Sequence, residues 1–526
     1  MRSAIYAILP VVLAALFASC GGGGGGGGEK DAQNAAPCVE RSDPKYSADD
    51  FASQRISARD PLSAYQWHLK NFRFSTGNDI NVEKVFKGVA PLAKAYTGAG
   101  VTIVITDDGV QASHPDLSPN LNLNLSGNSI TGKHDPSPVN IACTHGTMVA
   151  GIAAAKGGND QGVIGVAPNA TIVAINVADP KDAKCNNLSF WYFDVVYRLS
   201  SYKDGLVFSN SWGGEAFSQI RQNDRDAIKE SAAYNKAIHI FAAGNERQTE
   251  KSRSDYNERR NIYESLPIAA LKINGGYADY SNPGASLLVS AYATGAQGSG
   301  DIVTTFPTGC LAGFMRHKLA YGGGYTEQMN GTSAATPMAA GVVALMLEAN
   351  PNLTFREVRY ILAKTARQNN SADSDWKTNG AGFHINHNYG FGAVDAFEAV
   401  KMAEGFSNFS QLVTTPTYTQ TGGGAINVSD SGINKIEFVE IAAKIKTTCS
   451  FDLTLTSPKN TTAQFVKRDF APDSSVSSIL ANGFNFGTPR FLDEAANGSW
   501  TLTIPSGSFS CPTTIDSWKL TIKGRS

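Results

Sequence analysis

The sequence predicts an α/β domain with a mostly parallel sheet covered by helices on both faces, followed by an all-β sandwich. Three observations carry that prediction. Val101-Thr102-Ile103-Val104-Ile105-Thr106 is a short β-branched run without polar alternation, the pattern of a strand buried on both faces. Similar runs at 171–177, 206–210, 237–242 and 267–271 are separated by polar, helix-length stretches, which is the rhythm of parallel strands joined by crossover helices. From about residue 410 the character changes to short alternating runs, among them Phe451-Asp452-Leu453-Thr454-Leu455, Trp500-Thr501-Leu502-Thr503-Ile504 and Asp516-Ser517-Trp518-Lys519-Leu520-Thr521-Ile522. Turn residues divide these runs at even spacing, as in a sandwich.

The 526-residue chain is long enough for two or three domains, and a net charge of −1 with 17 % charged residues gives no footprint for nucleic acid or a polyanion. At the N-terminus Arg2 precedes an apolar run from Ala4 to Phe17, too short to cross a bilayer but suited to the core of a signal peptide. Phe17-Ala18-Ser19-Cys20 resembles the lipobox of bacterial lipoproteins, although Phe17 is less usual there than leucine. The expected organisation is a signal peptide at 1–19, a lipidated Cys20 with a glycine tether and polar segment to residue 59, an α/β domain at 60–405 and the sandwich at 410–526. An ordinary secretory signal cleaved nearby is the plainer alternative. Either way the chain is exported, to the outer membrane or cell surface or released from it.

Apart from Cys20 there are six cysteines, Cys38, Cys143, Cys185, Cys310, Cys449 and Cys511, an even number that suits disulfides in an exported protein. Cys449 with Cys511 is the expected pair, since both lie in the C-terminal module. No cysteine spacing resembles a zinc site.

Asp107-Asp108-Gly109 ends the first buried run, and the C-terminal ends of such strands are where open α/β sheets gather functional groups. Thr144-His145-Gly146-Thr147 opens an apolar helix, Ala243-Gly244-Asn245 ends another strand, and Gly331-Thr332-Ser333-Ala334 opens a helix spanning 332–348, with a further helix at 354–366. Taken singly each has a plainer reading: a turn pair, a cap, a loop entering a core helix. Taken together they supply a nucleophilic serine, an imidazole to accept its proton, a carboxylate to orient the imidazole and an amide for the oxyanion. The order Asp, His, Ser, and the absence of Gly-x-Ser-x-Gly around Ser333, disfavour a lipase or esterase.

Four segments, Ile105-Thr106-Asp107-Asp108-Gly109, His145-Gly146-Thr147, Ala243-Gly244-Asn245 and Gly331-Thr332-Ser333-Ala334-Ala335-Thr336-Pro337, resemble the subtilases in type and order. Within that superfamily the chain is similar to the kexin/furin-type proprotein convertases. The segments Ser209-Asn210-Ser211-Trp212-Gly213, Ile302-Val303-Thr304-Thr305, Asn350-Pro351-Asn352-Leu353-Thr354 and His387-Asn388-Tyr389-Gly390-Phe391-Gly392 carry that likeness. Leu453-Thr454-Leu455-Thr456-Ser457-Pro458, Gly498-Ser499-Trp500-Thr501-Leu502 and Ser517-Trp518-Lys519-Leu520 resemble their P domain. The resemblance covers about residues 60–526. It implies a subtilisin-like serine endopeptidase with Ser333 as nucleophile, His145 as general base, Asp107 as its orienter and Asn245 as oxyanion donor.

The resemblance further implies cleavage of protein or peptide substrates after Arg or Lys. Asp108 matches an acid that contacts the second substrate residue, Asp255 is the expected acid at the base of the primary pocket, and Ser211, Trp212 and Gly213 flank the substrate. Ala216 and Ala142 stand where the family carries other acids, so discrimination at the second basic residue is expected to be weaker. A structural Ca²⁺ is implied at Asp60 and Asp116 with oxygens from Gln161, Val163 and Gly165, a hard-oxygen set of the kind calcium takes. Only residues 29–59 lie between the expected signal and the catalytic domain, too few for the family's pro-segment, which leads us to expect a separate folding partner. A monomer is the expected state. The rival function is a catalytically silent surface lipoprotein that binds partners as a scaffold.

Overall fold

The computed structural model of the chain describes residues 56–57, 59–71, 77–140, 142–179, 181–182, 185, 188, 192–199, 201, 205–295, 301–308, 324–505 and 511–526. The expectations for the signal peptide, Cys20 and the glycine tether lie outside these residues, as do Cys38 and Cys310.

Seven strands make one wholly parallel sheet: β1 (Thr102–Asp107), β2 (Gly127–Asn128), β3 (Thr171–Asn176), β4 (Leu206–Asn210), β5 (Ile238–Ala242), β6 (Ser265–Lys272) and β7 (Val289–Thr294). Their spatial order is β2-β3-β1-β4-β5-β6-β7, so the chain leaves β1 toward one edge and β4 toward the other. The β1–β4 junction is therefore the topological switch point, where connections diverge and leave a crevice at the carboxyl ends of the strands. All six residues of β1 and all five of β4 and β5 are buried, which explains their unbroken apolar character.

The helices of this domain are α1 (Glu83–Phe86), α2 (His145–Ala154), α3 (Tyr192–Arg198), α4 (Gln222–Tyr234), α5 (Thr332–Ala349), α6 (Phe355–Thr365) and α7 (Ala396–Glu404). Among them α5 is long and apolar enough to cross a membrane, but it is the core helix, buried against β4 to β7 and against α2 and α7. Between β7 and α5 runs an antiparallel pair, β8 (Ile302–Thr305) and β9 (Tyr325–Met329). Helix α6 begins with a capping box, Thr354 accepting from Arg356 N while Glu357 accepts from Thr354 N, which fixes the start that the sequence marked. The hairpin β10 (Lys377–Thr378) and β11 (His384–Ile385) closes the domain before α7.

The sandwich begins after α7. It contains β12 (Val413–Thr414), β13 (Tyr418–Thr421), β14 (Gly424–Val428), β15 (Lys435–Lys446), β16 (Leu453–Thr456), β17 (Thr462–Val466), β18 (Phe484–Thr488), β19 (Gly498–Thr503) and β20 (Thr514–Arg525). One sheet runs β12-β20-β15-β18 with β13 also on β20, and the other runs β14-β19-β16-β17, every pairing antiparallel. The Cys449–Cys511 disulfide joins the segments before β16 and β20, as expected, and a second disulfide links Cys143 to Cys185. The sandwich is not purely β. A helix α8 (Ser474–Asn482) interrupts it, started by Asp473, whose side chain accepts from Val476 N. Its serine-rich sequence reads as a turn, because serine competes for backbone hydrogen bonds as readily as it caps them.

The two domains share a core. Phe217, Tyr256 and Ala285 of the α/β domain belong to the same apolar cluster as Phe484, Phe486, Trp500 and Trp518 of the sandwich. Phe217 stacks on Tyr256 with centroids 4.4 Å apart and meets Phe484 at 5.1 Å. Polar ties reinforce the seam: Arg356 on α6 donates to both oxygens of Glu437 on β15, at 2.9 and 2.6 Å, and Arg253 donates to the carbonyl of Gln464 at 2.6 Å. Phe217→Ala is expected to destabilise the protein by about 3–5 kcal/mol. Calorimetry should show one transition shifted as a whole. Two transitions, only one of them moved, would mean that the shared core does not couple the domains.

Candidate active site

Asp107 ends β1 and is 3 % exposed. Its Oδ1 accepts from Asp108 N at 2.8 Å and from His145 Nδ1 at 2.8 Å. A carboxylate only accepts, so Nδ1 carries the hydrogen, and in the neutral ring the lone pair is on Nε2. The His145 side chain is 32 % exposed, so its outer nitrogen is reachable from the crevice. Burial pulls the imidazole pKa down, but the charge and hydrogen bond of Asp107, with Asp108 behind it, raise it to about 9.

His145 opens α2, whose N-cap Thr144 makes no side-chain cap. The cap comes from β1 instead. Asp108 Oδ2 accepts from His145 N at 3.0 Å and Oδ1 from Gly146 N at 2.6 Å. With both oxygens accepting from these amides and the residue 5 % exposed, Asp108 positions the histidine, a role the sequence did not assign to it. Burial and the neighbouring Asp107 push its carboxyl up to about 7. The Asp108 carboxylate also lies within 4.8 Å of the sulfurs of Cys143 and Cys185, but these are bonded to each other and offer no thiolate to a metal.

Ser333 stands at the start of α5, 9 % exposed, after Gly331, whose φ of +83° a side chain would rarely adopt. Pro337, one turn on, has no N–H for the Ser333 carbonyl. That carbonyl accepts instead from Ser211 Oγ at 3.0 Å, while Ser333 Oγ donates to the Ser211 carbonyl at 3.1 Å. This exchange locks the end of β4 to the start of α5. No hydrogen bond joins Ser333 Oγ to His145 in this resting arrangement among the described residues, and catalytic contacts of this kind commonly form only with substrate bound. Beside Ser333, Asn245 Oδ1 accepts from Thr332 N and Thr332 Oγ1, both at 2.9 Å. Two donors fix the amide orientation and leave Nδ2 free. The Ser333 N–H is one of the first amides of α5, with no partner inside the helix, so two donors and the helix dipole converge next to the hydroxyl.

A cavity of about 740 Å³ opens beside Ser333 and Asn245, and residues 211–214 along it lie outside any strand. Trp212, which lines the cavity, is anchored by Nε1 donating to the Thr106 carbonyl at 3.0 Å. The sandwich supplies one wall, with Phe470, Val476 and Ile479. Asp255, expected at the base of the primary pocket, is enclosed at 0 % exposure and does not line this cavity. Its oxygens accept from Ala285 N (2.9 Å) and Ser286 N (2.8 Å) and face Arg253 Nε at 3.3 Å, so it anchors the loop beneath the sandwich. The charged residues that do line the cavity are Glu215, Glu246, Glu250, Asp473 and Arg260, none of which was singled out from the sequence.

Among the metal residues, Asp60 and Asp116 are both fully buried. Asp60 accepts from Gly158 N and Asn159 N, and Asp116 from Asn159 Nδ2 at 2.8 Å and Val163 N at 2.9 Å. Burial, and the like charge of Asp60, raise the Asp116 pKa to about 6. No lysine or arginine pairs with either acid among the described residues. Two buried carboxylates without a cation are costly, so the pair fits a bound divalent ion. The Gln161 side chain is exposed, and Asn159, which the sequence reading passed over, reaches Asp116 instead.

Residues 98–392 match the family model described as Subtilase family, and residues 436–522 match the Proprotein convertase P-domain. The chain belongs to the subtilase family. It is 29 % identical over 503 residues to proprotein convertase subtilisin/kexin type 7 of Homo sapiens, covering 90 % of this chain and 61 % of that one. It is 28 % identical over 505 residues to Kexin of Saccharomyces cerevisiae, covering 90 % and 58 %. The chain thus spans under two thirds of the length of these relatives. In fold it is similar to the serine protease of Aeromonas sobria, with a TM-score of 0.77 at 22 % identity over 93 % of this chain and 99 % of that one. The same protease in complex with a chaperone gives 0.76 at 22 % identity, over 89 % and 95 %.

Asp108→Ala leaves the first two amides of α2 without their cross-strand acceptor. It should cost about 0.5–2 kcal/mol in thermal unfolding, the range for loss of a cap. An unchanged melting temperature would show that water serves those amides as well.

Proposed function

We propose that this subtilase is an exported serine endopeptidase that cleaves protein or peptide substrates through an acyl-enzyme, with Asp107, His145 and Ser333 as its triad. The observation that supports this most is the His145 tautomer: Nδ1 held by Asp107 and Nε2 free, on the same sheet edge as a serine hydroxyl and an anchored amide. Ser333 Oγ attacks the peptide carbonyl as His145 Nε2 takes its proton. The oxygen, now negative, is held by Asn245 Nδ2 and Ser333 N. His145 returns the proton to the leaving amine, and water then repeats the sequence on the ester. Ser211, Trp212 and Gly213 form the segment along which a substrate backbone adds as a strand.

Asp60 and Asp116, with oxygens of the 159–165 loop, would hold a structural Ca²⁺, whose charge would offset that of the buried pair. Export and lipid attachment at Cys20 rest on the N-terminal sequence, and a separate folding partner on likeness to a solved neighbour. The Aeromonas sobria protease was solved with a chaperone, which supports the last point by analogy. The preference for Arg or Lys loses the acid it rested on, since Asp255 is enclosed.

Ser333→Ala should lower kcat by about 10⁶ on a denatured protein substrate, the scale seen when a triad serine is removed. Undiminished turnover, or none from folded wild type, would favour the silent scaffold. The folded His145 pKa of about 9 lies above its ordinary 6.5, so protonated His145 stabilises the fold below 6.5 and that contribution is lost as pH rises through 9, while activity rises over the same window. Asp107→Asn should move the rising limb of the pH–rate profile to lower pH and cut kcat by about 10⁴; a limb that stays in place would detach Asp107 from His145. Chelation with EDTA should lower the melting temperature of wild type but not of Asp116→Asn. Equal responses would place the ion elsewhere.

A further inference from the structure

Arg260 is a buried charge that the proposed hydrolysis leaves unused. It closes a short 3₁₀ turn, Glu258–Arg260, whose other charges are accounted for: Glu258 faces Arg225 at 3.4 Å and Arg259 pairs with Asp224 at 2.9 Å. Arg260 is 4 % exposed, and its guanidinium makes no hydrogen bond or ion pair with any described residue. That small exposure opens into the cavity it shares with Ser333 and Asn245. Its position there is tightly set. A methyl group on Gly213 would collide with Nη2, and one on Gly244 would lie 3.1 Å from Nη1. The guanidinium therefore sits between the segment that follows Ser211 and the segment that precedes Asn245. A substrate with its carbonyl carbon at Ser333 Oγ and its oxygen at Asn245 Nδ2 directs the side chain on the acyl side of the bond between those same two segments.

We propose that Arg260 forms the floor of the primary pocket and that the enzyme cleaves after aspartate or glutamate, the substrate carboxylate pairing with the guanidinium. This rests on the hydrolase reading above and names its substrate class. A desolvated guanidinium with open donors gains more from a carboxylate than from any other side chain, because charge-assisted bonds replace the hydration it has lost. Arginine or lysine in the same place brings a second cation against a charge that is already unpaired. The other charges facing the cavity do not reverse this. Glu246 lies nearest and its charge favours the guanidinium through space, but its Oε2 accepts from Asn245 N at 2.9 Å and Asn282 Nδ2 at 2.7 Å, and no ion pair joins it to Arg260. Glu215 and Glu250 are exposed and Asp473 caps α8, so these three act from the mouth, through solvent that screens them.

The test digests a denatured protein with full-length wild type, Ser333→Ala, Arg260→Gln and Arg260→Glu, reading cleavage sites by mass spectrometry. Peptides differing only in Asp, Glu, Ala, Lys or Arg before the bond then give kcat/KM. Ser333-dependent cleavage after Asp or Glu should exceed cleavage after Lys or Arg by about 10- to 100-fold, the value of one charge-assisted pair. Arg260→Gln should flatten that ratio and Arg260→Glu should invert it. The wild-type ranking decides even where a variant fails to fold. Ser333-dependent cleavage favouring Lys or Arg, or a flat ranking unmoved by Arg260→Gln, overturns the assignment and leaves the hydrolase intact. Absence of Ser333-dependent cleavage at any sequence removes both.

Discussion

The site depends on one carboxylate oxygen, Asp107 Oδ1, which holds the next backbone amide and the imidazole at once. It does so because β1 is buried along its whole length in the middle of a parallel sheet, with no freedom to move its terminal residue. The neighbouring Asp108 exploits the same rigidity, reaching across to cap α2 at the histidine itself. Two consecutive acids thus fix the imidazole from both ends, one through Nδ1 and one through the backbone. The serine is held by a second piece of sheet. Pro337 frees the Ser333 carbonyl, and Ser211, just past β4, takes it. Since β1 and β4 are hydrogen-bonded neighbours, the relative placement of His145 and Ser333 is that of two adjacent strands.

The sandwich extends this logic outward. Phe217 and Tyr256 belong to loops that follow β4 and β5, the strands that carry Ser211 and Asn245, and both rings are buried in the sandwich core. The sandwich therefore anchors the far ends of the two segments that frame the cavity. It also contributes Phe470, Val476 and Ile479 to the cavity wall. Its place against the α/β domain is then a condition for the shape of the cleft.

Much of this was legible in the sequence for a physical reason. Strands buried on both faces must be apolar throughout, and nucleophile, base and amide must sit at strand ends or helix starts, so β1, α2, Asn245 and Ser333 announced themselves. What stayed hidden were roles that depend on burial of charge. Glu258-Arg259-Arg260 reads as a solvated run, and only the packing of the turn against Gly213 and Gly244 drives its last member inward. Asp255 and Asp108 look like substrate-facing acids by analogy, yet backbone amides claim their oxygens. Asn159 carries no signal because asparagines are common in loops. Helix α8 was hidden because serine serves turns and helix starts alike.

The buried charges also show where the fold is incomplete by itself. Several buried acids and bases are matched: Arg356 with Glu437, Arg259 with Asp224, Arg253 with Asp255. Among the described residues no ion pair reaches Asp60, Asp116 or Arg260, although Arg59 and Glu246 act on Asp60 and Arg260 through space. An unmatched buried charge costs several kcal/mol and persists only when something repays it. At Asp60 and Asp116 the surroundings are backbone amides and a closed loop, the setting of a resident ion that stabilises the fold. At Arg260 the surroundings are two glycine-walled segments and an open cavity beside a nucleophile, so the repayment there comes and goes with each substrate. On the readings proposed above one imbalance is structural and the other belongs to the substrate, and the difference lies in whether the buried charge faces a loop or a cleft.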